Sequence, residues 1–216
     1  MPGTFNGTTL TISATPVDHA LIPDEGATNV AGIAIVGSDM YCVKTTGLKT
    51  TLLKTTDYMA TKATAVKKDL NWFALGLTKI GNYLYMLAED HKGYGGSTTI
   101  VKLDTKGNQL GTYSINEICP KGALGITAAD GTNEKFIIMH YADKSNAGTL
   151  TFSVVDWKAA KAASTFTVTN SGFGYTTQLQ DIYYHTSFGL FILTNNTFST
   201  LQNRILVVDY HLTDCL

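Results

Sequence analysis

The sequence predicts an all-β fold built from four repeated units. In each unit an apolar strand is followed by a short turn, an apolar strand rich in Tyr or Phe, a polar loop and a third strand. β-Branched and aromatic residues dominate these segments, and such residues favour the pleated, half-buried surface of a strand. Recurrence of one pattern along the chain is typical of a repeat architecture. The four opening strands are Gly32–Val36, Leu75–Ile80, Leu124–Ala128 and Asp181–Tyr184.

The repeat divides the chain into four units of comparable length. Hairpin turns separate the strands within a unit, as at Gly81-Asn82 and Lys106-Gly107-Asn108 in the second unit. Because the repeat runs from one end of the chain to the other, it favours a single domain over residues 1–216. Only residues 157–164, with their alanines and lysines, look helical. The predicted units span residues 31–69, 71–116, 122–169 and 179–216, preceded by one strand at residues 8–13.

Four-stranded antiparallel units of this kind resemble the blades of a β-propeller. The stretch Ile100–Asn108 is similar to the hairpin between third and fourth strands in many propeller families, although no WD, Kelch or Asp-box signature is present. The resemblance implies about four blades around an axis. Since the fourth unit ends after its third strand, the N-terminal strand is expected to supply the missing one and close the ring. Half of an eight-bladed dimeric ring and a β-sandwich are the structural alternatives.

The composition argues against several classes of partner and location. A net charge of −1 with a single arginine, Arg204, does not suit a nucleic-acid partner, which requires clustered basic residues. Charged residues make up only 15% of the chain, and threonines, as numerous as all charged residues together, supply polarity on strand surfaces. No stretch is long and apolar enough to predict a membrane span, and no signal-peptide pattern begins the sequence. The composition favours an extracellular location.

The three cysteines predict neither a metal site nor a redox site. Cys42, Cys119 and Cys215 are far apart and form no C-x-x-C pair, so no zinc site is expected. Cys42 lies within a strand and is expected to be a buried free thiol. A disulfide between Cys119 and Cys215 stays an alternative. The five histidines fall at different positions in the units, so no metal or other cofactor is expected.

The best candidate site is the face that carries the loops between second and third strands and the links between blades. Propellers usually bind their ligands there, and the resemblance is the reason for choosing that face. Exposed aromatic rings beside Asn, Asp and Gly suit the apolar faces and hydroxyls of sugars, or a peptide. The alternative is that Gly, Asn and Ser only form turns while the aromatic rings cap the core. The candidate ligand-binding residues are Trp72, Tyr94, Phe173, Tyr175, Phe198, His91, Asp143 and Asn195.

These features favour a non-enzymatic binding module that recognises a carbohydrate or an extended peptide. The first alternative is a hydrolase or lyase, similar to a glycosidase, in which Asp90 and Asp143 form an acid–base pair with His91 nearby. Such aspartates more often cap turns. The second alternative is a structural or oligomerising subunit, which a flat apolar face without a pocket would favour.

Overall fold

The computed structural model describes residues 3–5, 10–12, 28–56, 63–90, 97–130, 134–141, 149–169, 177–196 and 204–210. Every regular element within these ranges is a β-strand. The strands are β1 (Gly3–Phe5), β2 (Leu10–Ile12), β3 (Thr28–Val36), β4 (Asp39–Thr46), β5 (Lys49–Thr55), β6 (Thr64–Leu70), β7 (Phe73–Ile80), β8 (Tyr83–Glu89), β9 (Thr98–Leu103), β10 (Gln109–Ser114), β11 (Ala123–Asp130), β12 (Lys135–His140), β13 (Thr149–Asp156), β14 (Lys161–Thr169), β15 (Thr177–His185), β16 (Gly189–Asn196) and β17 (Arg204–Val208).

The strands form antiparallel meanders that follow the order of the chain. Blade 1 contains β3 to β6, blade 2 contains β7 to β10, and blade 3 contains β11 to β14. Blade 4 has three strands among the described residues, β15 to β17. Every pairing within a blade is antiparallel between consecutive strands. The predicted all-β, propeller-like architecture is therefore confirmed.

The core consists of three apolar clusters, each formed between two successive blades. Side chains alternate along a strand, so each blade presents one set of residues to the preceding blade and another to the following blade. In blade 2, Leu84 and Met86 pack against blade 1, whereas Tyr85 and Leu87 pack against blade 3. The third cluster joins blades 3 and 4. Contact between blades, rather than within one blade, buries most of the large apolar side chains.

The first strands of the blades lie at the centre and contact one another in chain order: β3 with β7, β7 with β11, and β11 with β15. Glycine permits this close approach. At Gly32, which has a φ of 67°, an added Cβ would lie 2.0 Å from the backbone nitrogen of Leu77 in the next blade. Gly76 and Gly125 occupy the same position in blades 2 and 3, but blade 4 has Asp181 there. Among the described strands, no comparable contact joins β15 back to β3.

The N-terminal strand does not confirm the predicted closure of the ring. Strand β2 falls within the predicted strand 8–13, but it pairs with β1 in a separate two-stranded sheet. Closure of blade 4 by the N-terminal strand therefore stays a prediction.

The helical expectation for residues 157–164 is wrong. Residues 157–160 form a turn, in which Ala160 has a φ of 51°, and β14 begins at Lys161. Strand β14 pairs with β13 along its length, from Asp156↔Lys161 to Thr149↔Thr169. Because β14 is an outer strand with a solvated face, it accommodates alanine and lysine that locally favour a helix.

Candidate functional site

The loop face is the end of the propeller that carries the loops between second and third strands and the links between blades. One part of this face that the structure describes lies at blades 2 and 3, at Asp90, Ser97 and Thr98 and in the link 115–122. The predicted binding loop 91–96 begins and ends there. Whether that loop has a fixed base decides whether it can present side chains in a defined way.

Two hydrogen bonds close the base of this loop. The backbone N–H of Asp90 donates to the carbonyl oxygen of Ser97 over 3.2 Å, and the N–H of Ser97 donates to Asp90 Oδ1 over 3.2 Å. The first bond extends the ladder between β8 and β9 by one pair, and the second uses the carboxylate as a cap. Asp90 thus fixes the start and end of the loop, as the turn-capping alternative predicted.

The link between blades 2 and 3 is joined to the same region by hydrogen bonds, one of them to a side chain. Thr98 N–H donates to Asn116 Oδ1 over 2.6 Å, and Ile115 N–H donates to the carbonyl oxygen of Thr98 over 2.9 Å. Further along the link, the carbonyl oxygen of Gly122 accepts a bond of 3.0 Å from Tyr141 N–H, at the end of β12. The link therefore holds the two blades together where their loops emerge.

Trp72, the predicted aromatic residue whose side chain the structure describes, lies at the junction of blades 1 and 2. Its ring is half-buried and packs against the cluster between these blades, and Nε1 donates a 3.2 Å hydrogen bond to Gln109 Oε1 on β10. Its carbonyl oxygen accepts a 2.7 Å bond from the buried hydroxyl of Thr50. These contacts give Trp72 a structural role in joining two blades.

The structure does not describe the side chains of the other predicted site residues. His91, Tyr94, Asp143, Phe173, Tyr175 and Phe198 lie outside the described residues, and Asn195 lies in β16, where its side chain is not described. The proposed pairing of Asp90 with Asp143 is therefore a prediction that the described residues do not test.

A buried carboxylate that the sequence analysis missed lies beside this region. Glu89, the last residue of β8, is buried together with Thr98, its partner on β9. A Cβ added at Gly122 would lie 3.5 Å from Glu89 Oε1, so glycine leaves room for the carboxylate. Period-2 alternation places Glu89 on the same side as the core residues Tyr85 and Leu87, and that pattern could have identified it.

Asp181 is a second acidic residue that the sequence analysis did not single out. Burial raises the pKa of its carboxyl to about 6, and the N–H of Ile182 donates to Oδ1 over 2.8 Å. The signal was present in the repeat, because the equivalent position in the first three blades is glycine.

Two clusters contain residue types that are common in catalytic sites, but both are enclosed and join strands or blades. His140 Nε2 lies 2.8 Å from Ser153 Oγ, which lies 2.9 Å from Thr165 Oγ1. Ser153 is fully buried, so its hydroxyl is inaccessible to a substrate, and burial lowers the pKa of His140. This network joins the second, third and fourth strands of blade 3.

The other cluster is an ionic one between blades 2 and 3. Lys102 Nζ lies 2.5 Å from Glu134 Oε1, to which the Tyr85 hydroxyl also donates a hydrogen bond. Burial opposes ionisation of Glu134, but Lys102 and Tyr85 hold the pKa of its carboxyl below the ordinary value. Burial and the bond to Glu134 raise the pKa of Tyr85 to about 12. The side chains are largely enclosed, so the cluster joins blades rather than presenting a reactive group.

The described cysteines are free thiols. Cys42 and Cys119 are both buried, and burial raises the pKa of Cys42 to about 11 and that of Cys119 to about 12. A thiol with so high a pKa is a poor nucleophile at neutral pH.

The described ranges contain no metal-binding cluster and no membrane-spanning helix. Within them, no three His, Cys, Asp or Glu side chains are grouped so that they could ligate a metal ion. The same ranges include no helix whose length and hydropathy would suit a bilayer crossing.

Comparison with known proteins supports the fold alone. No family model matches the chain, and no match was found among curated proteins. Among solved structures, the chain is similar to hydrazine synthase of Kuenenia stuttgartiensis, with a TM-score of 0.52, 10% identity and coverage of 84% of this chain and 51% of that one. It is also similar to glutaminyl cyclase of Myxococcus xanthus, with a TM-score of 0.52, 14% identity and coverage of 86% and 76%. The chain thus spans about half of the hydrazine synthase chain.

A structure described as the Dos1 propeller is also similar, with a TM-score of 0.44, 8% identity and coverage of 84% of this chain and 48% of that one. The antiparallel meanders described above, rather than these likenesses, define the class of fold, a β-propeller. At such low identity, the likenesses assign no activity to this chain.

Proposed function

We propose that this protein is a non-enzymatic binding module whose loop face recognises a carbohydrate or an extended peptide. The observation that carries the proposal is the fixed base of the loop 91–96, where Asp90 and Ser97 form two hydrogen bonds. A loop held at both ends by a rigid blade can present ligand-contacting residues at low entropic cost. His91 and Tyr94 lie within that loop.

In this proposal, aromatic rings supply most of the contact energy and nearby polar groups fix the orientation of the ligand. Tyr94, Phe173, Tyr175 and Phe198 would provide the rings, and the exposed part of Trp72 would lie at the edge of the site. His91, Asp143 and Asn195 would form hydrogen bonds with hydroxyls or amides of the ligand.

The competing hypothesis is a hydrolase or lyase in which Asp90 and Asp143 act as an acid–base pair beside His91. The bond from Ser97 N–H to Asp90 Oδ1 supports the binding module instead, because it uses the Asp90 carboxylate to close the loop. A general acid or base needs its carboxylate directed at the substrate.

A glycan and peptide array tests the proposal with wild type, Tyr94→Ala and Tyr83→Ala. Tyr83 is a matched control, because it is an exposed tyrosine at the opposite end of β8 from Asp90. We expect wild type and Tyr83→Ala to bind the same ligand, and Tyr94→Ala to lose about 2 kcal/mol of binding free energy, as anchor aromatics typically do. Trp72→Ala is a poorer probe, since its ring also packs between blades.

Melting curves of all variants accompany the array. If Tyr94→Ala fails to fold, its ring belongs to the core and the site assignment is wrong. If folded wild type binds nothing on the array, the binding module loses its support. If wild type cleaves a bound glycan and Asp143→Asn abolishes cleavage, the enzyme hypothesis replaces it.

A further inference from the structure

Blades 1 and 2 differ in how they satisfy one polar pair at the loop-face end of their second and third strands. In blade 2 this pair is Glu89 on β8 and Thr98 on β9. Thr45 and Thr50 form the equivalent pair in blade 1, since each pair lies two residues beyond a fully buried apolar pair. Residues that pair directly project to the same side of a sheet, so both pairs point toward the following blade.

In blade 1, hydrogen bonds within the chain satisfy the polar groups of this pair. The hydroxyl oxygens of Thr45 and Thr50 lie 2.9 Å apart. Thr50 Oγ1 also donates to the carbonyl oxygen of Trp72 over 2.7 Å and accepts from Ala74 N–H over 3.2 Å. The link to blade 2 and the first strand of blade 2 therefore complete the hydrogen bonding of blade 1.

In blade 2, the equivalent hydroxyl is not satisfied in this way. The side chain of Thr98 is fully buried, and its Oγ1 has no hydrogen-bond partner among the described residues. Gly122 stands where the first junction has Phe73, three residues before the glycine at which each inner strand approaches its neighbour. A Cβ added at Gly122 would lie 3.9 Å from Thr98 Oγ1 and 3.5 Å from Glu89 Oε1. Glycine therefore leaves a space the size of a methyl group, which two polar side chains border.

A buried hydroxyl without a partner destabilises a fold, because its hydrogen bonds to water are lost and not replaced. Blade 1 shows that groups of the chain itself can satisfy this position. Binding sites commonly keep such unsatisfied groups, because stability is lost there in exchange for affinity. The open position in blade 2 thus has the character of a site prepared for a ligand group.

We propose that this space receives one hydroxyl group of a carbohydrate, an inference that rests on the binding function proposed above. We call the space, bordered by Glu89, Thr98 and Gly122, the hydroxyl subsite. A sugar hydroxyl can donate its hydrogen to the carboxylate and accept a hydrogen bond from the threonine. A peptide N–H only donates and a peptide carbonyl only accepts, so neither group alone suits both side chains. The hydroxyl subsite therefore favours a carbohydrate over an extended peptide as the ligand.

The hydroxyl subsite adjoins the proposed binding loop 91–96. Glu89 precedes Asp90 and Thr98 follows Ser97, and the two hydrogen bonds between Asp90 and Ser97 fix the base of that loop. Because Glu89 and Thr98 are both buried, the subsite admits only a small group. The sugar ring itself would remain outside, on the loop face.

The test is an array of neutral oligosaccharides and extended peptides, probed with wild type, Thr98→Val and Thr98→Ser. We expect wild type to bind an oligosaccharide and Thr98→Val to bind it at least about tenfold more weakly, because a hydrogen bond in an enclosed site is lost. Thr98→Ser keeps the hydroxyl and should bind within about threefold of wild type.

Monodeoxy forms of the bound oligosaccharide provide a readout that does not depend on the folding of variants. One of them should bind wild type at least about tenfold more weakly than the parent sugar. The same form should lose several-fold less affinity on Thr98→Val, because the two changes remove one shared interaction. If every monodeoxy form binds wild type as tightly as the parent, the proposal is wrong.

Thr50→Val is the matched control for stability without ligand. Thr98→Val should melt at or above the Tm of wild type, because its hydroxyl makes no bond with the described chain. Thr50→Val should melt lower, since Thr50 makes three hydrogen bonds. If Thr98→Val melts as low as Thr50→Val and still binds the oligosaccharide like wild type, the hydroxyl holds a structural water and the proposal is overturned.

The array separates failure of the hydroxyl subsite from failure of the binding function. If wild type and Thr98→Val bind an oligosaccharide equally, the subsite is wrong while the binding function stands. If wild type binds only peptides, the subsite is also wrong and the ligand of the loop face is a peptide. If wild type binds nothing, the binding function and the subsite fail together.

Discussion

Blades 2 and 4 share one strand pattern but differ in what covers their sides. In blade 2, Leu87 and Ile100 are fully buried against blade 3, whereas the equivalent Leu193 and Ile205 of blade 4 are exposed. The local sequences are equally apolar. An apolar alternating pattern in a repeat protein therefore identifies a surface built for packing, but the neighbouring unit determines whether that surface is buried.

The largest expected difference is between Leu87→Ala and Leu193→Ala. Removing the Leu87 side chain leaves a cavity between blades 2 and 3, so we expect a loss of about 2–5 kcal/mol in unfolding free energy. Leu193→Ala should cost less than about 1 kcal/mol, because its side chain is already exposed to water. Urea unfolding of both variants at low protein concentration measures the comparison. Equal losses would show that blade 4 is covered within one chain.

Asp181→Asn tests a second difference between blade 4 and the other blades. Blade 4 has this aspartate at the position where the other three blades have glycine. Burial raises the folded pKa of Asp181 from 3.8 to about 6, so the ionised group destabilises the fold above pH 6. The wild-type unfolding free energy should therefore fall as the pH rises from about 4 to about 7, by about 3 kcal/mol at most from this residue. Asn keeps the oxygen that accepts from Ile182 N–H but cannot ionise.

The variant should thus be more stable than wild type at pH 7 and similar to it at pH 4. Urea unfolding at the two pH values measures this difference. An unchanged pH dependence in Asp181→Asn would mean that the carboxyl is well solvated.

Glu134→Gln concerns the ionic cluster that joins blades 2 and 3. The substitution removes the charge that pairs with Lys102 and accepts from Tyr85, in a largely enclosed place, so we expect a loss of about 1–3 kcal/mol. Because the pKa of Glu134 is lowered in the fold, its contribution is present at neutral pH and is lost as the pH falls through the folded pKa.

Asp69→Asn is the matched control for that substitution. Asp69 Oδ1 lies 3.6 Å from Lys49 Nζ, and both side chains are exposed. An exposed pair contributes little, so the change should be below about 0.5 kcal/mol. Asparagine also tolerates the φ of 57° at this position. Thermal or urea unfolding of the two variants in parallel separates a buried ion pair from a surface one, and equal effects would contradict the structural role of Glu134.

The strands and their order could be predicted because the information for them is local. Turn residues such as Gly81 and Gly107 adopt the left-handed φ that their hairpins require, and alternation on either side of them defines the strands. Strand β14 was missed at its start because alanine and lysine at residues 159–162 favour a helix locally, while pairing with β13 decides the outcome.

The candidate site was less predictable because its geometry depends on contacts between distant residues. The sequence places Trp72 in a link, but its contacts with Gln109 and with the core between blades 1 and 2 follow from the packing of two units. Turn capping was the alternative role predicted for Asp90, and the hydrogen bond that its Oδ1 accepts from Ser97 N–H shows that role. For His91, Tyr94 and Asp143, the sequence interpretation stays a prediction.

The chain-order meander also has a consequence for how the protein folds. Every strand pairing in the described blades joins neighbours in sequence, so each blade can form from hairpins that close rapidly, without waiting for distant segments. During synthesis, blade 1 can fold and then provide the surface on which blade 2 packs, and so on along the chain. Blade 4 follows the other three in the chain, so its strands can pack on a blade 3 that has already formed.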